Sequence, residues 1–144
     1  MKRIFVLQGL PASGKSTLAQ KIIAGNPSAV RVNKDSLRKM LFGWQRDRAT
    51  FDKAQERLVQ QTEDKMIADF VQRGLDVVVD DTNLNPKRIK QLAEMGKRLG
   101  VAVIFIPMKA GIAECIQRNA TRLEPVPQDA IVVMGLRYGY EHSA

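Results

Sequence analysis

The chain has 144 residues, 44% hydrophobic and 26% charged, which suits one folded domain over 1–144 with a buried core and excludes a low-complexity chain. Its 23 Lys and Arg against 15 Asp and Glu leave a net charge of +8, so a polyanion is the favoured partner, nucleic acid first; the alternative is a merely basic nucleotide-binding protein. One Cys and one His exclude an intramolecular disulfide and a His/Cys metal cluster, and the lone thiol suits a reducing cytoplasm.

No apolar run approaches the ~20 residues that span a bilayer. The basic, apolar start "MKRIFVLQ" falls short of a signal peptide and runs straight into a glycine loop. "RIFVLQ" reads as a strand covered on both faces. After the loop, Leu18, Ala19, Ile22 and Ile23 recur at helical spacing up to "GNP". "AVRVN" is a second short strand ending at Asn33, and "KDSLRKMLF" a helix broken near Gly43. The longest helix is expected from Phe51 to Gly74, with Phe51, Ala54, Leu58, Met66 or Ile67, and Phe70 on its apolar face. "LDVVVDD" is the third strand, "NPKRIKQLAEMGKRLG" a helix with Pro86 in its first turn, and "VAVIFIP" the fourth strand. "GIAECIQRNATR" is a helix that buries Cys115, "LEPVP" a turn, and "QDAIVVMGLRYGYE" a final helix that either covers the sheet or mediates self-association. Apolar strands alternating with helices predict an α/β fold: a parallel sheet of about four strands with helices on both faces, binding ligands at the carboxyl ends of its strands.

The chemistry begins at "GLPASGKST". Gly9, four residues, then Gly14, Lys15 and Ser16 complete GxxxxGK[ST] between a buried strand and a helix. The loop from Gly9 through Pro11 and Ser13 to Thr17 turns its N–H groups inward, around an anion at the helix N-terminus. Lys15 reaches the β and γ phosphates, and Ser16 ligates Mg²⁺. ATP and Mg²⁺ are thus the expected cofactors of a P-loop NTPase fold.

Three further clusters sit at strand ends. In "VNKDSLRKM", Asp35 is either a helix N-cap or a general base that takes a proton from an acceptor hydroxyl. Arg38, three residues on, holds an acceptor phosphate or balances the carboxylate. In "VVVDDTNLNP", Asp80 and Asp81 point in opposite directions, one toward Mg²⁺ and one toward a helix, with Thr82 and Asn83 on the same rim. In "RNATR", Arg118 and Arg122 form an i,i+4 pair that wants an anion, on a mobile segment able to cover a transferring phosphate or on a solvated basic face.

These stretches resemble, in order and spacing, the 5′-kinase domain of the bacteriophage polynucleotide kinase-phosphatase family; "DTNLNP" and the Asp-x-x-Arg of Asp35 and Arg38 are the specific part. The resemblance implies that Lys15 and Ser16 hold the donor phosphates and that Asp35 is the base on a 5′-hydroxyl, with Arg38 on the acceptor side. It also implies Asp81 in the essential acidic position, Arg122 as the lid arginine, and Arg118 and Val126 beside the adenine. No Asp-x-Asp-Gly signature is present, so 3′-phosphatase activity is not expected. "GWQRDRATFDK" departs from the family pattern. Lys34 is a backbone-phosphate contact or an ordinary lysine, and Trp44 stacks on a base or packs beside Phe42. The reading that follows is a polynucleotide 5′-hydroxyl kinase acting on DNA or RNA ends, set against a small-molecule P-loop kinase and a non-catalytic nucleotide-binding module.

Overall fold

The computed structural model describes residues 2–44 and 51–141, so residues 45–50 of the divergent "GWQRDRATFDK" stretch lie outside the described residues. The elements are β1 (Arg3–Gln8), α1 (Lys15–Ala24), β2 (Ala29–Val32), α2 (Lys34–Phe42), α3 (Lys53–Gln72), β3 (Asp76–Asp80), α4 (Pro86–Leu99), β4 (Ala102–Pro107), α5 (Ile112–Ala120) and α6 (Gln128–Arg137). The four strands form one parallel sheet in the order β2-β3-β1-β4. Helices lie on both faces, the α/β arrangement that the alternation of apolar strands and helices predicts. No helix among the described residues is long and apolar enough to cross a membrane.

The period of two along β3 fixes the layers. Val77 and Val79 pack with Ile67 and Val71 of α3 and Leu92 and Met95 of α4, whereas Val78 turns to Ala19 of α1. All five β3 residues are buried, because helices cover both faces of this inner strand. A third cluster joins Leu10 of the loop to Ile112 and Cys115 of α5 and Ile131 of α6. The final helix therefore packs against α5 and the loop that follows β1. Gly135 makes that contact close: a Cβ there would lie 2.3 Å from Ile112 Cγ1.

Two sequence expectations need correction. The long helix starts at Lys53, leaving Phe51 outside it and 53% exposed. Its buried face is Val59, Glu63, Ile67 and Val71, one position round from Leu58, which is 48% exposed. Glu63 hides that face from an apolar count: it is fully buried, with Oε1 accepting from Arg88 Nη2 at 3.0 Å. Similarly, α5 ends at Ala120, so Arg122 lies beyond the helix and is not stacked one turn from Arg118.

At the amino end of the sheet, Asp76 ties β1 to the α1–β2 loop. Its carboxylate accepts from Arg3 N at 2.7 Å, Arg3 Nη2 at 3.0 Å and Asn26 Nδ2 at 2.8 Å. Burial alone would raise its pKa, but the Arg3 and Asn26 hydrogen bonds outweigh burial and hold it below the ordinary 3.8. A carboxylate lowered in the folded state stabilises above its unfolded pKa, and that stability is lost as pH falls through the folded value. Asp76→Asn should therefore cost about 1–3 kcal/mol at pH 7. Thermal melts of the two proteins should converge only as pH falls through the folded Asp76 pKa, which lies below 3.8, where the wild-type carboxylate becomes protonated.

Candidate active site

The phosphate loop folds by left-handed turns at Ala12 (φ 65°) and Gly14 (φ 100°), after which Lys15 opens α1. Gly14 is the position that needs a glycine, since φ near 100° is strained for any L side chain. Lys15 Nζ curls inward and donates to the carbonyls of Gly9 (2.9 Å) and Leu10 (2.7 Å). Burial, partly opposed by Asp80, lowers its pKa to about 8. Gly9 packs beneath the loop, where a Cβ would meet Ser13 Oγ at 2.6 Å.

Ser16 Oγ donates to Asp80 Oδ2 at 3.1 Å. The aspartate beside the P-loop hydroxyl is thus Asp80, not the Asp81 that the resemblance implies. Asp80 is also paired with Arg31 of β2 at 2.7 Å, and its carbonyl accepts from Asn33 Nδ2 at 2.5 Å. Asp81 turns the other way, as strand alternation requires. Its Oδ1 accepts from Lys34 N at 2.8 Å, holding the start of α2. On its far side lies Glu63, whose pKa is pushed well above the ordinary value by burial first and by Asp81 second. Thr82 O accepts from Gly9 N at 3.0 Å. Asn83, at φ 47°, donates to the carbonyls of Leu7 (2.8 Å), Val79 (3.2 Å) and Asp81 (3.3 Å). The "DTN" segment therefore stitches the end of β3 to the start of the phosphate loop.

The N-cap of α2 is Asn33, whose side chain accepts from Ser36 N at 2.8 Å. Asp35 sits inside the first turn, so its carboxylate is not spent as a cap. Arg38 Nη1 donates to Asp35 Oδ1 at 2.5 Å, and its Nε and Nη2 fork onto Glu56 of α3 at 2.7 and 2.6 Å. Trp44 and Phe51 stack with ring centroids 5.5 Å apart, and both lie over the Arg38 guanidinium. Packing, the second of the two readings of Trp44, is what the geometry shows, with Phe51 rather than Phe42 as the stacking ring.

On the opposite wall, Arg118 Nη1 donates to Ser13 O at 3.0 Å and Nη2 to Glu114 at 2.6 Å. Asn119 donates to Val126 O at 2.8 Å and accepts from Val126 N at 3.0 Å, closing the loop that carries Arg122. Lys39 of α2 pairs with Glu124 of the same loop, bridging the two walls. These contacts close the base of the segment that carries Arg122 and pair it with α2.

Together these elements enclose a cleft of about 810 Å³ at the carboxyl ends of the strands. Pro11, Ser13, Gly14, Lys15, Ser16 and Thr17 line its donor side with Arg118, Arg122 and Val126. Lys34, Asp35, Arg38, Asp81 and Thr82 line the facing side. Of the candidate site residues singled out from sequence, Gly9 and Trp44 are absent from the wall. Sequence reasoning missed Arg31, Glu56, Glu63, Arg88 and Asn119. An arginine in the middle of the short strand "AVRVN" was a legible signal, since a charge there needs a partner; a glutamate within a polar helix carries no such signal at Glu56 or Glu63. Among the described residues no three His, Cys, Asp or Glu cluster to hold a metal. Ser16 and Asp80 nonetheless suit Mg²⁺, which keeps most of its waters, takes few protein oxygens and shares substrate phosphates.

The chain matches the AAA domain family (AAA_33) over residues 4–139 and belongs to it. It is 35% identical over 118 residues to the 2′,3′-cyclic-nucleotide 3′-phosphodiesterase of Mus musculus, covering 81% of this chain and 26% of that protein. To the L-seryl-tRNA(Sec) kinase of Methanococcus maripaludis it is 24% identical over 132 residues, covering 89% of this chain and 49% of the relative. The chain thus spans between a quarter and a half of the length of these relatives. A chain of the Pnkp1/Rnl/Hen1 RNA repair complex superimposes with a TM-score of 0.81 at 24% identity, covering 95% of this chain and 44% of that one. The fold is the P-loop α/β fold of kinases, with a nucleotide-binding loop.

The two adjacent aspartates are separable by experiment. Asp80→Asn removes the charge that Ser16 and Arg31 share, so Mg²⁺ should strengthen ATP binding at least tenfold less than in the wild type. Asp81→Asn should keep the Mg²⁺ response. Calorimetric titration of ATP with and without Mg²⁺ reads both.

Proposed function

We propose that this member of the AAA domain family is an ATP-dependent kinase that phosphorylates the 5′-hydroxyl end of a nucleic acid, as the resemblance to the phage enzymes suggests. One observation carries the reading: Asp35, not used as a helix cap, shares one cleft with the phosphate loop. A nucleotide-binding module has no need of that carboxylate. The charge of +8 favours a polyanionic acceptor. The similarity to an L-seryl-tRNA(Sec) kinase and the fold shared with a chain of the Pnkp1/Rnl/Hen1 RNA repair complex support the same class.

In this mechanism Asp35 accepts the proton of the acceptor hydroxyl as its oxygen attacks the γ-phosphorus in line, the bond from that phosphorus to the β,γ-bridging oxygen breaks, and ADP leaves. Arg38 orients that carboxylate. Lys15 leaves its carbonyl partners for the β and γ phosphates, and Arg122 takes up charge that develops on the transferring group. Arg118 and Val126 border the donor base. Mg²⁺, held at Ser16 and Asp80, would neutralise the donor phosphates. Lys34 and Thr82 line the acceptor's path.

A second reading, transfer to a small hydroxyl acceptor, has one observation in its favour: the Arg38 fork is already filled by Glu56. Salt separates the two. Transfer to a polyanion weakens steeply as salt rises, whereas transfer to a neutral small acceptor does not.

The direct assay supplies γ-labelled ATP, Mg²⁺ and a short 5′-hydroxyl oligonucleotide, with a 5′-phosphorylated twin as control. The 5′-hydroxyl strand alone should take label. Asp35→Asn should lower turnover by about 10²–10⁴-fold with ATP affinity retained. No label, with ATP still bound, would move the acceptor to a small molecule; full activity in the variant would remove Asp35 as the base.

A further inference from the structure

Both edges of the Arg38 guanidinium carry a carboxylate. Nη1 takes Asp35, and the Nε/Nη2 edge takes both carboxylate oxygens of Glu56. Trp44 and Phe51 lie over the guanidinium, at 5.4 and 4.9 Å from ring centroid to Cζ. The Nε/Nη2 edge is the planar fork that recognises two oxygens of a carboxylate or a phosphate. A phosphate on the acceptor can bind Arg38 in this way only by taking the edge that Glu56 holds.

Glu56 is suited to let go. It lies in the first turn of α3, where the exposed N–H groups and the helix dipole stabilise a negative charge. Its side chain is 31% exposed, so water can replace the guanidinium. Asp35 sits on the other edge of Arg38 and need not move when the fork changes partner.

We propose that Glu56 is a built-in competitor for an acceptor phosphate at Arg38, holding the fork in the acceptor-free protein and yielding it to a phosphate group next to the reacting hydroxyl. The identity of the acceptor rests on the kinase reading above; the competition itself is a property of Arg38 and Glu56.

Trp44 is the only tryptophan in the chain, so its fluorescence reports on the Arg38 neighbourhood. The test titrates wild type and Glu56→Gln with adenosine 3′-monophosphate and with adenosine, with ADP and Mg²⁺ saturating the phosphate loop. Removing the competing charge should tighten binding of the 3′-monophosphate about tenfold or more, and adenosine should show no such gain. Equal or weaker binding of the 3′-monophosphate by the variant would overturn the proposal, as would an equal gain with adenosine. Melting curves verify that the variant is folded at the assay temperature. If it is not, Glu56→Asp draws the carboxylate back by one methylene and should show a smaller gain of the same sign; no gain overturns the proposal. Transfer of label from ATP to a 5′-hydroxyl oligonucleotide is measured on the same wild-type preparation. A gain in phosphate affinity without such transfer removes the polynucleotide reading and keeps the competitor; transfer without the gain does the reverse.

Discussion

The carboxylate of Asp80 is 1% exposed at the end of a strand buried on both faces, and a charge so placed must be paired. Its partners are the parts that a nucleotide site needs in register. Ser16 brings the first turn of α1, Arg31 brings β2, and the Asp80 carbonyl receives the side chain that caps α2. One strand end therefore sets the positions of the phosphate loop and of the helix that carries Asp35. Asn83 reinforces it by satisfying three carbonyls from two strands and a loop, in a left-handed conformation that only a short polar side chain supports with ease.

A second polar network lies outward of the first. Asp81 holds the N-terminus of α2 and faces Glu63, which meets Arg88; Arg88 also pairs with Asp64 at 2.7 Å. Breaking a buried ion pair by removing one member strands the other, so such a network enforces one arrangement of helices more than it adds stability. Here it joins α3 and α4 to the loop that begins the acceptor wall. Arg38, Asp35 and Glu56 then extend the same logic from α2 to α3. On the acceptor wall Arg38 is thus paired with both Asp35 and Glu56, and an incoming anion competes with an internal partner.

The donor side was largely legible in the sequence because its chemistry is local. Gly9, Gly14, Lys15 and Ser16 are contiguous, and a strand before them and a helix after them suffice to aim the loop. The acceptor side was legible only as isolated residues. Asp35 carried two readings until Asn33 appeared as the cap. Asp80 and Asp81 were adjacent in sequence and divided by alternation, yet alternation alone does not say which faces Ser16. Nothing local marked Glu56 or Glu63 as paired, and the apolar stripe assigned to α3 was off by one because its buried face contains a charge.

What the sequence by itself determined is the alternation of apolar strands with helices, the phosphate loop and its place at a strand end. Each of these follows from spacing within a few residues of chain. Tertiary structure alone decided which aspartate stands beside Ser16, that Arg31 pairs with it across 49 residues, and that Glu56 fills the fork of Arg38. Those choices depend on the order of strands in the sheet and the seating of α3 on α2. A buried charge takes as its partner whichever opposite charge the packing brings within hydrogen-bond reach, and no local pattern records that distance.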